Sequence, residues 1–309
     1  MGVQYHVKEG DSPGTGIFVS TVGRAARTGT EERESMGIRI WHQSFTVLGN
    51  LPAYADALDA HFRKIARPGT EVVLHGMHDQ TYRTNCPGTD IRYAYMQYLH
   101  GQQFVMGGLA AEEQGFDAYA IMTLPEPALR ETRSVLDIPV VAYGESAMLT
   151  ATMLGERMGV LMFIEEMTPL IDENARRVGL AARFGGARYI GFGFNDVLAG
   201  FDKPSELLDR FNAAARAMIR DGVDVIIPGE APLCVLLARN GINRVDDVPV
   251  LDALGATIKM AEAMVDLRRT LGVSPARNGY FTAKPARERI NELITLYGMD
   301  PLRPESGKR

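Results

Sequence analysis

The amino-acid sequence predicts an α/β fold made of two similar domains, each with a parallel sheet. Two stretches carry this prediction, residues 115–125 and 222–233, because both open with Gly-x-Asp, continue in an apolar run and then reach a proline. They repeat at an interval of about 107 residues, which suits a duplicated domain and is too long for a solenoid repeat. A chain of 309 residues is also long enough for two domains with apolar cores.

In the first half of the chain, apolar runs of strand length alternate with helical patterns, as is typical of parallel βαβ units with right-handed crossovers. Apolar residues recur at helical spacing in 51–65 and 93–114, and a third helix is predicted from Glu126 onwards. Residues 76–90 hold Gly, Pro, Asn and Thr and predict a long loop, which in a compact domain is usually functional or mobile. Strands are predicted at residues 37–44, 70–75, 117–122 and 139–143.

The second half repeats this alternation. The segment Ile138-Pro139-Val140-Val141 has its counterpart in Val248-Pro249-Val250-Leu251, which strengthens the duplication. Residues 205–220 form a clear amphipathic helix that begins with Ser-Glu, a helix-start signal. Strands are predicted at residues 158–163, 188–193, 223–227 and 248–251, and the remaining helices at 145–154, 168–178, from Pro232 onwards, 256–271 and 286–297.

The repeat and the element pattern together predict the domain organisation. We expect residues 37–144 with 254–271 to form the first α/β domain and residues 145–253 to form the second. Residues 1–36 are polar and Gly-rich, and we expect them to be an extension outside the core. Residues 272–309 are expected to be a helical tail that packs on a domain or on a sister subunit.

Composition excludes several classes of function. The net charge of −5 and the absence of a Lys/Arg block argue against a nucleic-acid or anionic-membrane surface. No apolar run approaches the roughly 20 residues that a membrane-spanning helix needs, and the first residues lack the pattern of a signal peptide. The two cysteines, Cys86 and Cys234, do not make a disulfide framework. We therefore expect a cytoplasmic protein that binds neither nucleic acid nor membrane.

Glu230 is the leading catalytic candidate. It follows the apolar run 223–227 and the turn residue Gly229, so it lies beyond the carboxyl end of a predicted parallel strand, where α/β proteins bind ligands. At the start of a helix the macrodipole favours its carboxylate, whereas burial would raise its pKa, and the two effects compete. Glu230 is predicted to be a general base, against the plainer interpretation that it satisfies helix N–H groups.

Thr123 occupies the equivalent position in the first repeat, so it and Glu230 are expected to face each other across a cleft. Its hydroxyl is not a base at neutral pH but can hold a substrate carboxylate or a water, or else cap the helix predicted from Glu126. Glu126 itself is a second acid–base candidate, although glutamates are common in the first turn of helices. Glu145 ends another strand and is more typical of a helix start than of a catalytic group.

Other polar residues are candidates for substrate binding. His42, Gln43 and Ser44 end the first predicted strand, so either substrate binding or ordinary loop polarity explains them. His75 and His78 are expected to line the cleft rather than to bind metal, since a zinc site needs three or four converging ligands. Cys86 contacts substrate if its loop folds over the cleft.

Three segments resemble a known family. Val248-Pro-Val-Leu-Asp-Ala-Leu-Gly-Ala256, Lys259-Met-Ala-Glu-Ala-Met-Val265 and Pro139-Val-Val-Ala-Tyr-Gly-Glu-Ser-Ala147 are similar to segments of the aspartate/glutamate racemase superfamily, in its hydantoin-racemase-like branch. The resemblance covers roughly residues 37–270. It implies two flavodoxin-like domains that face each other across a pseudo-twofold cleft. It also implies cofactor-independent catalysis by two cysteines, one from each domain, that act as base and acid.

The sequence departs from this pattern at the catalytic positions. The first cysteine position of the family falls on Thr123 and the second on Glu230, while Cys234 lies one helical turn beyond and is expected to be buried packing. The two-thiol proton relay is therefore not expected in its usual form.

Two classes of reaction remain open from the sequence. The first is racemisation or isomerisation of a small carboxylate or cyclic amide, with Glu230 as base and Glu126, Cys86 or a histidine returning the proton. The second is hydrolysis of a cyclic amide, or a lyase reaction such as decarboxylation, with Glu230 activating water. A binding protein without catalysis is a third interpretation. In each case we expect a small-molecule ligand, no cofactor and a homo-oligomer.

Overall fold

Two separate parallel sheets stand where the repeat predicts two domains. The computed structural model describes residues 37–302, so the predicted extension at 1–36 lies outside the described residues. The first sheet contains β1 (Ile38–Gln43), β2 (Thr70–His75), β3 (Ala118–Ile121) and β4 (Val140–Ala142). The second sheet contains β5 (Met158–Met162), β6 (Phe184–Tyr189) and β7 (Val225–Pro228).

Helices follow the strands, as βαβ units require. They are α1 (Pro52–Ile65), α2 (Gly88–Ile91), α3 (Ala94–Glu113), α4 (Leu129–Val135), α5 (Tyr143–Ala151), α6 (Thr168–Arg177), α7 (Phe194–Gly200), α8 (Ser205–Arg220), α9 (Ala231–Arg239), α10 (Ala253–Leu271) and α11 (Arg287–Leu296). The long helix α10 returns to the first sheet and packs on β3, β4 and α5. Among helices within residues 37–302, none combines the length and apolar character needed to cross a bilayer.

The two sheets have the same strand order. The first is ordered β2-β1-β3-β4 and the second β6-β5-β7, and every neighbouring pair is parallel. A single parallel bridge between Ile226 and Val250 extends the second sheet beyond β7, at the place that β4 takes in the first. The α/β fold with two parallel sheets is therefore confirmed, and the carboxyl ends of β3 and β7 hold equivalent positions.

Two predicted strands are wrong in their bounds. The strand predicted at residues 188–193 is β6, which ends at Tyr189, because Gly191 adopts a left-handed conformation with φ +77°. The strand predicted at 248–251 shrinks to β9 (Val248–Pro249), which pairs antiparallel with β8 (Arg244–Val245). Pro249 has no N–H to donate to a longer ladder.

The start predicted for the helix at Glu126 is also wrong. Glu126 and Ala128 both have φ +52°, a left-handed conformation that a helix cannot contain, and α4 starts only at Leu129. Glu126 instead lies in a tight turn after β3, where its side chain points into the interior. Thr123 is accordingly not the cap of a helix that starts there.

Gly229 allows β7 to approach β5 closely. Its N–H donates to the Leu161 carbonyl at 2.7 Å, and a Cβ built at this glycine lies 2.7 Å from the Cβ of Met162. Any side chain at this position would push the two strands apart, directly before Glu230. We therefore interpret Gly229 as a residue that sets the strand spacing.

We expect Gly229→Ala to destabilise the fold by about 1–3 kcal/mol, the usual cost of overpacking a close contact. The measurement is the free energy of unfolding in urea. Gly49→Ala is the matched control, since its added Cβ meets nothing within 4 Å. Equal unfolding free energies for the two variants would contradict the close approach.

Candidate active site

The ends of the strands meet around one cavity. Glu230 follows β7 and Thr123 follows β3, and both line the same cavity. Ser44, beyond the end of β1, lines it as well. The cavity thus forms at the carboxyl ends of strands from both sheets, where the parallel arrangement predicts it.

The carboxylate of Glu230 is held by backbone N–H groups that follow β5. The Phe163 N–H lies 3.1 Å from each carboxylate oxygen, and the Ile164 N–H donates to Oε1 at 3.2 Å. Glu230 is the N-cap residue of α9, but its side chain makes no capping bond to that helix. The plainer interpretation, a glutamate that satisfies its own helix, is therefore not what the structure shows.

Burial dominates the protonation of Glu230. The side chain is 6 % exposed, and burial raises its pKa from 4.5 to about 8, while the N–H groups of Phe163 and Ile164 act in the opposite direction. A carboxyl with a pKa near neutrality is suited to exchange a proton with a weakly acidic carbon.

The rest of the cavity lining is hydroxylic and apolar. Hydroxyls come from Ser44, Thr46, Tyr54 and Thr123, and Glu230 supplies the carboxyl group. The described lining contains no lysine, arginine or histidine. The apolar wall is formed by Phe45, Ile91, Met122, Phe163, Ile164 and Phe194. Because the site offers no cation, it suits an uncharged ligand better than a free carboxylate.

The comparisons with known proteins agree with this architecture. The fold is similar to an allantoin racemase from Klebsiella pneumoniae, with a TM-score of 0.66 and 23% identity over 81% of this chain and 95% of that one. An allantoin racemase from Pseudomonas fluorescens gives a TM-score of 0.64 and 25% identity over 80% and 97%. A hydantoin racemase from Pseudomonas sp. strain NS671 is 29% identical over 173 residues, 56% of this chain and 68% of that protein.

The Asp/Glu/Hydantoin racemase family matches residues 52–261, more than half of the chain. The chain belongs to this family. It is therefore an enzyme of the racemase class, as the resemblance predicts.

Glu126 does not face the cavity of this racemase-family protein. Its buried carboxylate pairs with Arg177 of α6 at 2.5 Å and accepts the Glu145 N–H at 2.5 Å. Burial raises its pKa to about 7, against the lowering effect of the Glu145 N–H and of Arg177. The side chain links the segment after β3 to α6, and we interpret it as a structural ion pair. Glu145 itself pairs with Arg133 and lines a different groove.

The residues at the end of β1 divide between site and core. Ser44 lines the cavity, and its hydroxyl lies 2.8 Å from that of Thr46. Gln43 accepts a hydrogen bond from the Trp41 indole and donates to the Gly76 carbonyl, so its amide is used inside the core. The buried His42 ring has no hydrogen-bond partner among the described residues, and burial lowers its pKa to about 3, helped by His75.

The two candidate histidines of the next segment are not at the cavity. The His75 ring stacks on Trp41 with 3.3 Å between ring centroids, and burial lowers its pKa to about 4. The His78 ring bonds to the Leu302 carbonyl at 2.9 Å, which holds the end of the described chain. Within residues 37–302, no group of three or more His, Cys, Asp and Glu side chains is arranged for a metal ion.

The end of the loop predicted at residues 76–90 reaches the cavity. Pro87, Gly88 and Ile91 line it, and Gly88 packs against Ile164. Arg92 pairs with Glu166 at 2.7 Å and so ties this loop to the second sheet's side of the cavity.

The two cysteines have different surroundings. Cys86 is half-buried in the loop that ends at the cavity, next to the lining residue Pro87. Cys234 is buried in α9, and its thiol donates to Asp252 at 3.6 Å. Burial raises the pKa of Cys234 to about 12, with Asp252 adding to the shift. Cys234 is therefore a protonated packing thiol, as the sequence predicts.

Thr46, Tyr54 and Phe194 are among the lining residues that the sequence does not single out. Tyr54 lies in the first turn of α1, directly after the β1 loop, and this position is the one signal that identifies it in the sequence. Phe194 starts α7, a short helix that the sequence pattern does not predict.

The buried carboxyl of Glu230 predicts a pH-dependent stability. Because its folded pKa of about 8 exceeds the ordinary 4.5, the folded state binds the proton more tightly than the unfolded chain. This contribution to stability is complete below about pH 4.5 and is lost as the pH rises through about 8. We expect the free energy of unfolding of the Glu230→Gln variant to fall by a few kcal/mol less than that of the wild type over this pH range, because one pKa unit corresponds to about 1.4 kcal/mol.

Urea unfolding between pH 5 and pH 8.5 measures this difference. Glu156→Gln is the control, because the Glu156 side chain is 93% exposed. If the stability of wild type and Glu230→Gln falls equally with pH, Glu230 does not carry the raised pKa.

Proposed function

We propose that the protein racemises a neutral cyclic amide, with Glu230 removing the proton from the carbon next to a carbonyl. The observation that carries this proposal is a buried carboxyl, with a pKa of about 8, in a cavity whose described lining has no cation. The named racemases among its relatives act on hydantoin and allantoin, and both are cyclic amides.

The chemistry follows from the groups in the cavity. Glu230 takes the proton, and the C–H electron pair moves into the carbonyl to form an enolate. A water at the Thr123 hydroxyl then protonates the carbon from the opposite face, and the proton on Glu230 neutralises the resulting hydroxide. Thr123 orients this water but does not itself exchange a proton.

The position of Glu230 and Thr123 at the two family thiol positions remains part of this proposal. On this view, one carboxyl and one hydroxyl replace two thiols. The large apolar side chains of the lining would contact the substituent on the ring, so apolar substituents should be accepted more readily than charged ones.

Ring opening is the second candidate function. It is favoured by one observation, that Glu230 is the one carboxyl in the described cavity lining, since a single base is enough to activate water. Both reactions place negative charge on a carbonyl oxygen, so the need for donors does not separate them. Racemisation is better supported because the matched family and the named relatives are racemases.

Incubation of an enantiopure 5-benzylhydantoin with the protein in D2O distinguishes the two reactions. We expect deuterium at the ring carbon and loss of optical rotation, with the ring intact, as followed by NMR and polarimetry. Glu230→Gln should lower the exchange rate by about 10²–10⁴-fold, the usual contribution of a general base. Glu165→Gln, an exposed neighbouring carboxylate, is the control and should exchange normally.

Ring-opened product without deuterium at the ring carbon would support hydrolysis instead. A fully active Glu230→Gln variant would remove Glu230 from the mechanism under both reactions.

We expect catalysis not to depend on a thiol. Cys86→Ser should keep its exchange rate within about threefold, because Cys86 lies beside the cavity lining and not in it. Iodoacetamide should modify Cys86 and leave the buried Cys234 unmodified, as mass spectrometry can show. Loss of exchange in Cys86→Ser would restore a thiol to the mechanism.

A further inference from the structure

One buried hydroxyl in the cavity lining has no partner. Tyr54 is 1 % exposed, lines the cavity, and its Oη makes no hydrogen bond to any residue within 37–302. Three other buried tyrosines each donate to a backbone carbonyl: Tyr82 to Phe45, Tyr119 to Phe104 and Tyr143 to Pro228. A buried hydroxyl without a partner costs about 1–3 kcal/mol, so such a group calls for an explanation.

The surroundings keep Tyr54 protonated and in place. Its ring lies 6.3 Å from that of Phe201 in an edge-on arrangement. Burial raises the pKa of the phenol well above its ordinary value, the nearby Cys234 adds to this, and the Ser44 hydroxyl opposes it. The Ser44 Oγ is bonded to the Thr46 hydroxyl at 2.8 Å and accepts the Thr46 N–H at 3.1 Å, and it makes no hydrogen bond to the Tyr54 Oη. Tyr54 therefore has an O–H available for a ligand.

The proposed reaction needs such a donor. When Glu230 removes the proton, negative charge develops on the carbonyl oxygen, and the described lining offers no cation to stabilise it. The backbone N–H groups of Phe163 and Ile164 already bind the Glu230 carboxylate. A hydroxyl donor that is already in place stabilises a developing oxyanion strongly.

We infer that Tyr54 is a catalytic residue that donates its hydrogen bond to the substrate carbonyl next to the carbon that Glu230 deprotonates. This inference rests on the proposed function. Tyr54 keeps its proton throughout the reaction, and its hydrogen bond strengthens as the enolate forms.

The test compares Tyr54→Phe with Tyr119→Phe, which removes another buried hydroxyl outside the cavity lining. Deuterium exchange into enantiopure 5-benzylhydantoin gives kcat and KM for each variant. We expect Tyr54→Phe to lower kcat by about 10²–10³-fold, as for loss of one oxyanion donor, with KM changed less than about threefold. Tyr119→Phe should keep the wild-type kcat. Circular dichroism confirms that both variants are folded.

A second substrate separates catalysis from a structural role. The 4-thio analogue of the same hydantoin accepts hydrogen bonds more weakly at the atom that Tyr54 is inferred to contact. The ratio of wild-type to Tyr54→Phe rates should therefore be smaller for the thio analogue, whereas a structural defect would lower both rates equally.

The outcomes distinguish this inference from the function on which it rests. Suppose that wild type catalyses exchange. If Tyr54→Phe then keeps the wild-type kcat, or if its rates on the hydantoin and on the thio analogue fall by the same factor, the inference is wrong and the proposed function stands. If wild type catalyses no exchange, both are wrong.

Discussion

The carboxylate of Glu230 binds the N–H groups of Phe163 and Ile164, and this interaction joins the end of β7 to the chain that leaves β5. Two backbone donors that would otherwise be buried without acceptors are satisfied by one side chain. The same contact fixes the carboxylate at the cavity, immediately after the close approach of Gly229 to β5. The position of the Glu230 carboxylate therefore depends on the spacing of β5 and β7 and on the path of the chain that leaves β5.

The protein holds two buried carboxyls in different ways. Glu126 is compensated by the cation of Arg177, so its carboxylate is committed to an ion pair. Glu230 is bonded to neutral backbone N–H groups alone, and burial raises the pKa of both carboxyls. The carboxyl that lacks a cationic partner is the one that lines the cavity. This contrast explains why, of the two, Glu230 is suited to proton transfer.

The sequence predicts the scaffold well because the scaffold is local and repeated. Apolar runs and helical spacing define most strands and helices, and the duplication identifies Thr123 and Glu230 as equivalent positions at one cavity. Prediction from the sequence fails where tertiary contacts override the local pattern. The left-handed turn at Glu126, for example, forms around a partner 51 residues away, Arg177. His42, Gln43 and His75 are predicted at the site because they lie at the ends of strands. Side chains alternate between the two faces of a strand, however, and these three are packed in the interior instead of lining the cavity. Tyr54 was missed because nothing local shows that its hydroxyl lacks a partner.

A site built from a carboxyl and hydroxyls has a consequence for chemical durability. Thiolates are the groups that peroxide oxidises stepwise to sulfenic, sulfinic and sulfonic acids, and soft metal ions bind them. Glu230, Thr123 and Tyr54 undergo none of these reactions, and Cys234 is buried and protonated. On the proposed function, the proton would be transferred through groups that these oxidants do not attack, and Met122 would be the oxidisable side chain of the cavity lining.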